Sequence, residues 1–297
     1  MRERLLFELI LTNQCNKRCP YCKIDFRDNI ISWQTTASFI NFIKNSLSHT
    51  DYIHINFFWW EPLLEFSILQ YIISCLPEKK IKYSVGTNGL LLDKNKLTYL
   101  SDHNVDIYLS IDTETGNNIL EKDYIKEFHK HIQINFIINP LTLSDSYTLI
   151  DKVFSFYFSQ VNIMPVFSTI KWSEQDLIDL KKFLQYVHSI KEKQSVRKFR
   201  YYNGFSAEKQ FVIDTDGSVY QDLDSLLWIQ KQNNTLHKLL KEKIEKETYI
   251  GNIWDITFSK LTEAYSENKI LKSVYSIPLK QWLLASYKVL DTFMAER

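Results

Sequence analysis

With 297 residues, 45% of them hydrophobic and 24% charged, the chain has the composition of a globular protein large enough to bury a substantial core. A formal net charge of +1 supplies no broad positive field for a phosphate backbone, so nucleic acid is not expected as a partner. No run approaches the roughly 18 apolar residues of a membrane span, and residues 1–12 are too short for a signal peptide and lack a small-residue cleavage site, so a soluble, cytoplasmic protein is expected.

Along the chain, short β-prone apolar runs alternate with helical patterns, which argues for parallel β/α units. Strands are expected at 5–11, 52–58, 81–86, 105–111, 132–138 and 161–167. Helical patterns fall near 35–47, 65–75, 94–101, 124–129, 143–158 and 173–188, the last opening on Ser173 with Asp176 three residues on, a capping start. The fold class is therefore α/β, a partial (β/α)6 TIM-like barrel, with a small α+β C-terminal extension after about residue 195. In the extension, Phe211-Val212-Ile213 and Val219-Tyr220 flank Asp214-Thr215-Asp216-Gly217, a hairpin signal. Charged helices and a terminal helix at 279–295 are expected to follow.

Three of the four cysteines stand within Cys15-Asn16-Lys17-Arg18-Cys19-Pro20-Tyr21-Cys22, directly after the first strand. This is not a disulfide framework; clustered thiolates suit metal and iron-sulfur sites. Three thiolates on one loop can ligate three irons of a 4Fe-4S cluster and leave the fourth iron open. Structural zinc, the alternative, needs a fourth ligand, and the nearest histidines, His49 and His54, lie far off on another unit.

The triad, with an aromatic residue just before its last cysteine, resembles the signature of the radical S-adenosylmethionine (SAM) superfamily. Further landmarks come in order: Trp59-Trp60-Glu61-Pro62 after the second strand, where that family has Gly-Gly-Glu-Pro, Thr87-Asn88-Gly89 after the third, and Ser110-Ile111-Asp112 at the end of the fourth. The resemblance implies one 4Fe-4S cluster on Cys15, Cys19 and Cys22, which thereby serve catalysis and metal binding. It also implies S-adenosylmethionine bordered by Tyr21, Trp60, Glu61, Thr87, Asn88, Ser110 and Asp112, with Glu61 neutralising its amino group. The cosubstrate would be cleaved reductively to a 5′-deoxyadenosyl radical that takes a hydrogen atom from substrate.

The departure is the tryptophan pair, because glycines permit positive φ and close backbone approach at little cost. The tryptophans would serve if their backbone stays in the β region. Trp59 is then a candidate substrate wall, against the plainer reading that both indoles pack between helices.

The hairpin and the later Ile250-Gly251-Asn252-Ile253 look like the skeleton of the cysteine-rich SPASM/twitch extension of peptide-modifying members. Its cysteines are missing: Asp222 stands where one is usual, and only Cys75 lies outside the triad. Hence residues 1–195 form the core and 196–297 a degenerate, cluster-free extension, with Asp222 a candidate substrate contact. Cys75 reads as a small buried hydrophobe, His129 and His131 as surface residues, Asp224 as a turn residue and the basic stretch 191–200 as a solvated helix end.

The expected function is hydrogen abstraction from a peptide or protein substrate in maturation of a ribosomally made peptide, with an electron donor such as flavodoxin or ferredoxin. With no room before Leu5 for a leader-binding domain, a leader would be gripped by the extension or a separate protein. The alternatives are a nucleotide or sugar substrate, or a non-catalytic iron-sulfur sensor or electron carrier.

Overall fold

The computed structural model describes residues 3–22, 27–77, 79–166, 172–194, 199–201, 209–221, 249–256 and 259. Asp222, Asp224 and the terminal helix expected at 279–295 lie outside the described residues.

The six expected strands form, with ends that differ by no more than two residues: β1 Glu3–Leu9, β2 Thr50–Phe57, β3 Ile81–Thr87, β4 Asp106–Ile111, β5 Ile132–Ile138 and β6 Gln160–Pro165. Between them run α1 Trp33–Ser46, α2 Phe66–Cys75, α3 Lys94–Asp102, the short α4 Gly116–Leu120 and α5 Asp123–Glu127, and α6 Ser146–Ser155. The helix α7, Glu174–Gln194, follows β6. Its first turn is held by the expected pair: the Ser173 N–H and hydroxyl donate to Asp176 Oδ2 at 2.8 and 2.6 Å.

Four further strands extend this frame: β7 Phe199–Tyr201, β8 Lys209–Ile213, β9 Ser218–Gln221 and β10 Tyr249–Asn252. The sheet order is β10-β9-β8-β1-β2-β3-β4-β5-β6-β7, parallel from β8 to β7 and antiparallel through β9 and β10. The ring stays open, as a partial barrel should. β7 pairs with β6, so part of the stretch read as a solvated helix end is instead a strand.

The hairpin of β8 and β9 forms around Gly217, whose φ of +84° is the conformation glycine adopts without a Cβ penalty. It does not stand apart, because β8 lies parallel against β1, with Phe7 opposite Phe211 and Leu9 opposite Ile213.

One face of the sheet is apolar and carries the helices. Leu5, Phe7, Leu9, Ile53, Ile55, Phe57, Ile107, Leu109, Ile134 and Phe136 are all fully buried there. Phe7 meets Phe39 and Phe42 of α1 edge-on and stacks on Phe211 at 5.7 Å. Each such side chain stabilises the fold by roughly 1.5–3 kcal/mol through burial, so this layer fixes the register of the polar face behind it.

That opposite face is polar at alternate positions, and its groups bond across strands. Asn56 donates to Glu8 Oε1 at 3.4 Å, and Ser84 donates to Asn56 Oδ1 at 2.7 Å. Because the Ser84 proton is committed to Asn56, its oxygen accepts from His54 Nε2 at 2.7 Å. Further round, Gln160 donates to Asn162 at 2.6 Å and Asn162 to Asn135 at 2.9 Å. Burial, aided by Lys82, pushes the His54 pKa down to about 4, which keeps the ring neutral.

Candidate active site

The site gathers where β1, β2, β3 and β4 end, the end at which parallel β/α barrels place their chemistry. The loop after β1 carries Cys15, Cys19 and Cys22, all partly exposed, with a turn closed by the Cys22 N–H on the Cys19 carbonyl at 3.0 Å. Two donors address the first sulfur, the Lys17 N–H at 3.4 Å and Asn88 Nδ2 at 3.6 Å. Burial pushes the Cys15 and Cys19 thiols up, and a charge on Cys22 acts on both in the same direction. The thiols are thus protonated until a cation takes the protons' place, which iron does on ligation.

Among the described residues, no group of three or more His, Cys, Asp or Glu converges as one metal ion would require. A cluster asks for a different arrangement, with one thiolate at each of three irons and donors to sulfur around them. The cysteine loop fits that demand, and it does not fit tetrahedral zinc.

The loop is bolted to its neighbours. At the end of β2 the Glu61 N–H donates to the Gln14 carbonyl at 3.1 Å. Glu61 is fully buried, and its carboxylate accepts from the Leu63 N–H at 3.2 Å, the Thr87 hydroxyl at 2.8 Å and the Asn88 N–H at 2.9 Å. It therefore ties the loop after β2 to the one after β3. Asn88 Nδ2 reaches on to Asn16 Oδ1 at 2.8 Å, in the cysteine loop. Gly89, with φ +78°, completes this turn, and a Cβ there would lie 2.5 Å from Leu109 Cδ1. From β4, buried Asp112 accepts from Lys17 Nζ at 2.6 Å and from the Tyr21 hydroxyl, and Ser110 stands half-buried two residues before it.

The tryptophan pair departs from the expected extended backbone. Trp59 has φ 71° and Trp60 φ 49°, the left-handed region that glycine fills freely and a bulky residue enters at a cost of order 1–3 kcal/mol. The chain keeps the bend and carries indoles on it. Packing explains how: Trp60, 8% exposed, sits in a small apolar cluster with Ile10, Val212 and Tyr220, against which Cys15 and Trp59 also pack. Trp59 also donates its indole N–H to Glu8 Oε2 at 3.0 Å, on the same sheet face, since Glu8 pairs with Val212. Both indoles thus lie on the Glu8 face of the sheet, Trp60 buried among residues on and beside β1, β8 and β9 rather than between helices, and Trp59 half-buried next to it.

Several participants escaped sequence reading. Lys17 stood in plain view inside the motif, and Glu8, Asn56, Ser84, Asn135 and Asn162 were hidden in runs dominated by their apolar neighbours. The signal that finds them is period-two polarity in strands that a parallel sheet would bury on both faces.

Burial pushes the Glu61 carboxyl up to about 7 against the pull of its three donors. Its proton is lost more easily in the unfolded chain, so stability falls as pH rises from about 4.5 toward about 7, by up to ~3 kcal/mol. Thermal unfolding across that window should show this slope, and Glu61→Gln should flatten it; an identical slope in the variant would show that another group titrates.

The family model described as the radical SAM superfamily matches residues 9–184, more than half of the chain. Among curated proteins, radical SAM cyclopropyl synthase TigE of Paramaledivibacter caminithermalis is 25% identical over 167 residues, covering 44% of this chain and 35% of that protein. An uncharacterized protein of Methanocaldococcus jannaschii, MJ0907, is 27% identical over 117 residues, 38% of this chain and 40% of its own. The matches thus span well under two thirds of either relative. Among solved structures, anSMEcpe with bound AdoMet superposes with a TM-score of 0.66 at 18% identity, over 88% of this chain and 77% of that one. Streptococcus suis SuiB bound to precursor peptide SuiA gives 0.63 at 14%, over 93% and 68%. These likenesses show the fold; with the family match over the residues that carry the cysteine loop and its fastenings, the chain belongs to the radical SAM superfamily.

Proposed function

We propose that Cys15, Cys19 and Cys22 hold one 4Fe-4S cluster and that the enzyme abstracts a hydrogen atom from a peptide or protein substrate during peptide maturation. When bound, the cluster supplies the electron that splits S-adenosylmethionine into methionine and a 5′-deoxyadenosyl radical. In this reading Tyr21, Trp60, Glu61, Thr87, Asn88, Ser110 and Asp112 border the cosubstrate. Glu61 acts through the backbone it positions, since its carboxylate is occupied by protein donors. Trp59, held by Glu8, contributes a wall on the substrate side.

The observation that carries the peptide reading is the place of the β8–β9 hairpin. Val212 and Tyr220 pack on Trp60 beside Cys15, and the Thr215 hydroxyl donates to Asn13 at 3.2 Å, just before the triad. The segment that resembles the extension of peptide-modifying enzymes thus walls the cysteine loop. The neighbours' descriptions support it: SuiB is described with a precursor peptide and anSMEcpe with the Cp18Cys peptide. A flavodoxin- or ferredoxin-type donor supplies the electron, a leader is gripped by the extension or a separate protein, and the enzyme works in the cytoplasm. No helix among the described residues is long and apolar enough to cross a membrane.

The test is to incubate reduced, cluster-loaded protein and S-adenosylmethionine with short peptides encoded beside its gene, following 5′-deoxyadenosine and peptide mass together. Peptide-stimulated release with a matching mass change is expected. Stimulation by nucleotides or sugars alone would move the substrate class to small molecules, and no release under any condition would favour an electron carrier.

A further inference from the structure

We propose that Asn135 is a substrate-binding residue, whose amide donors take a main-chain carbonyl oxygen of the peptide beside the cosubstrate. The proposal rests on the peptide reading above. Along β5, Ile132, Ile134, Phe136 and Ile138 are fully buried on the helix side, so Asn135 stands on the opposite face, inside the open ring. On β6 that face carries Gln160 and Asn162, 9% and 6% exposed, against 7% for Asn135.

The three amides form a row that runs in one direction. Gln160 Nε2 donates to Asn162 Oδ1 at 2.6 Å, and Asn162 Nδ2 donates to Asn135 Oδ1 at 2.9 Å. Asn135 ends the row: its oxygen is taken, and its Nδ2 has no acceptor among the described residues. Among those residues Asn13 Nδ2 is the one wholly enclosed side-chain polar atom without a partner, so Asn135 Nδ2 borders the space inside the ring. A head-to-tail row strengthens its last donor, because each bond polarises the next.

A latch between β5 and β6 needs only the two bonds within the row, and it leaves the donor at the end unexplained. Burying amides costs free energy that apolar side chains would not. The position of Asn135 supplies a use. It pairs in register with Ser110, proposed above to border the cosubstrate, and lies one strand farther from the cysteine loop. Substrate must touch the cosubstrate for a hydrogen atom to pass, so a donor about 4.8 Å beyond Ser110, one strand spacing, is placed to hold it. An uncharged N–H selects an acceptor oxygen and rejects ammonium and guanidinium groups, which have none. In a peptide that oxygen recurs at every residue as the main-chain carbonyl.

Asn135→Asp isolates the donor. It keeps the side-chain shape and an oxygen for Asn162, so the row stays closed, and it turns an acceptor toward the ring in place of the N–H groups. Wild type and variant, reconstituted and reduced, are assayed at about pH 8, where the new carboxyl group is ionised, with the short peptides encoded beside the gene. Isothermal titration calorimetry on the same samples gives the Kd for S-adenosylmethionine. The peptide KM should rise roughly tenfold or more in Asn135→Asp, as for a lost hydrogen bond, while the cosubstrate Kd moves far less. If that variant does not fold, Asn135→Ala decides on the same two readings. An unchanged peptide KM, or a cosubstrate Kd weakened as much as the peptide KM, would overturn the assignment. Wild type that modifies none of the peptides would strike the peptide reading itself, and this assignment with it.

Discussion

Replacing any one of Cys15, Cys19 or Cys22 by Ala should leave the anaerobically reconstituted protein almost free of iron and sulfide, whereas wild type should hold about four of each per chain. Three corners of the cluster depend on three thiolates, and a missing corner exposes iron to exchange and loss. The expectation is sharp because the fastenings around the loop do not replace a ligand. Asn88, Lys17 and Tyr21 contribute donors, and none offers a sulfur. Cys75→Ala is the control: that residue ends α2, packed against the apolar core, and its loss should leave iron content unchanged. About eight irons per wild-type chain would overturn the one-cluster reading.

The tryptophan variants should separate two functions that sit on adjacent residues. Trp60→Ala removes a buried indole from the cluster of Ile10, Val212 and Tyr220 beside Cys15. A cavity there costs about 3–5 kcal/mol, and the variant should lose thermal stability and hold iron less tightly. Trp59→Ala removes a half-buried side chain at the edge of the same cluster, bonded to Glu8. Loss of an aromatic substrate contact costs on the order of 2–3 kcal/mol, so modified product should fall roughly 30- to 150-fold. Cosubstrate cleavage without substrate should change far less, and iron content should hold. Measuring 5′-deoxyadenosine and product separately decides it; if Trp59→Ala loses cosubstrate cleavage as completely as product, Trp59 borders the cosubstrate.

Much of this architecture was legible in residue order alone. The apolar runs of β1 to β6, separated by helical periodicity, gave the partial barrel, and three cysteines in eight positions gave the cofactor chemistry. What stayed hidden depends on distance along the chain. Lys17 and Asp112 are 95 residues apart, and nothing local in either announces a buried ion pair. The β8–β9 hairpin is a local signal, but its parallel seat on β1 is not, since hairpins carry no mark of the strand beside them. The bend at Trp59 and Trp60 was misread for another reason. Intrinsic preference argues against positive φ in tryptophan, and here the Trp60 packing and the Trp59–Glu8 bond override it.

The seat of β8 on β1 also bears on when the molecule can become an enzyme. Strand β1 is the first described strand of the chain, yet the contact between Asn13 and Thr215 that secures its end spans 202 residues. Until residues near 215 have been synthesised and have closed on it, β1 keeps one hydrogen-bonding edge open, and Trp60 lacks Val212 and Tyr220 beside Cys15. Long-range parallel pairings of this kind form late and slowly, because loop closure must precede the contacts that reward it. The cysteine loop is thus translated early, while its contacts with the hairpin can form only once residue 220 has been synthesised.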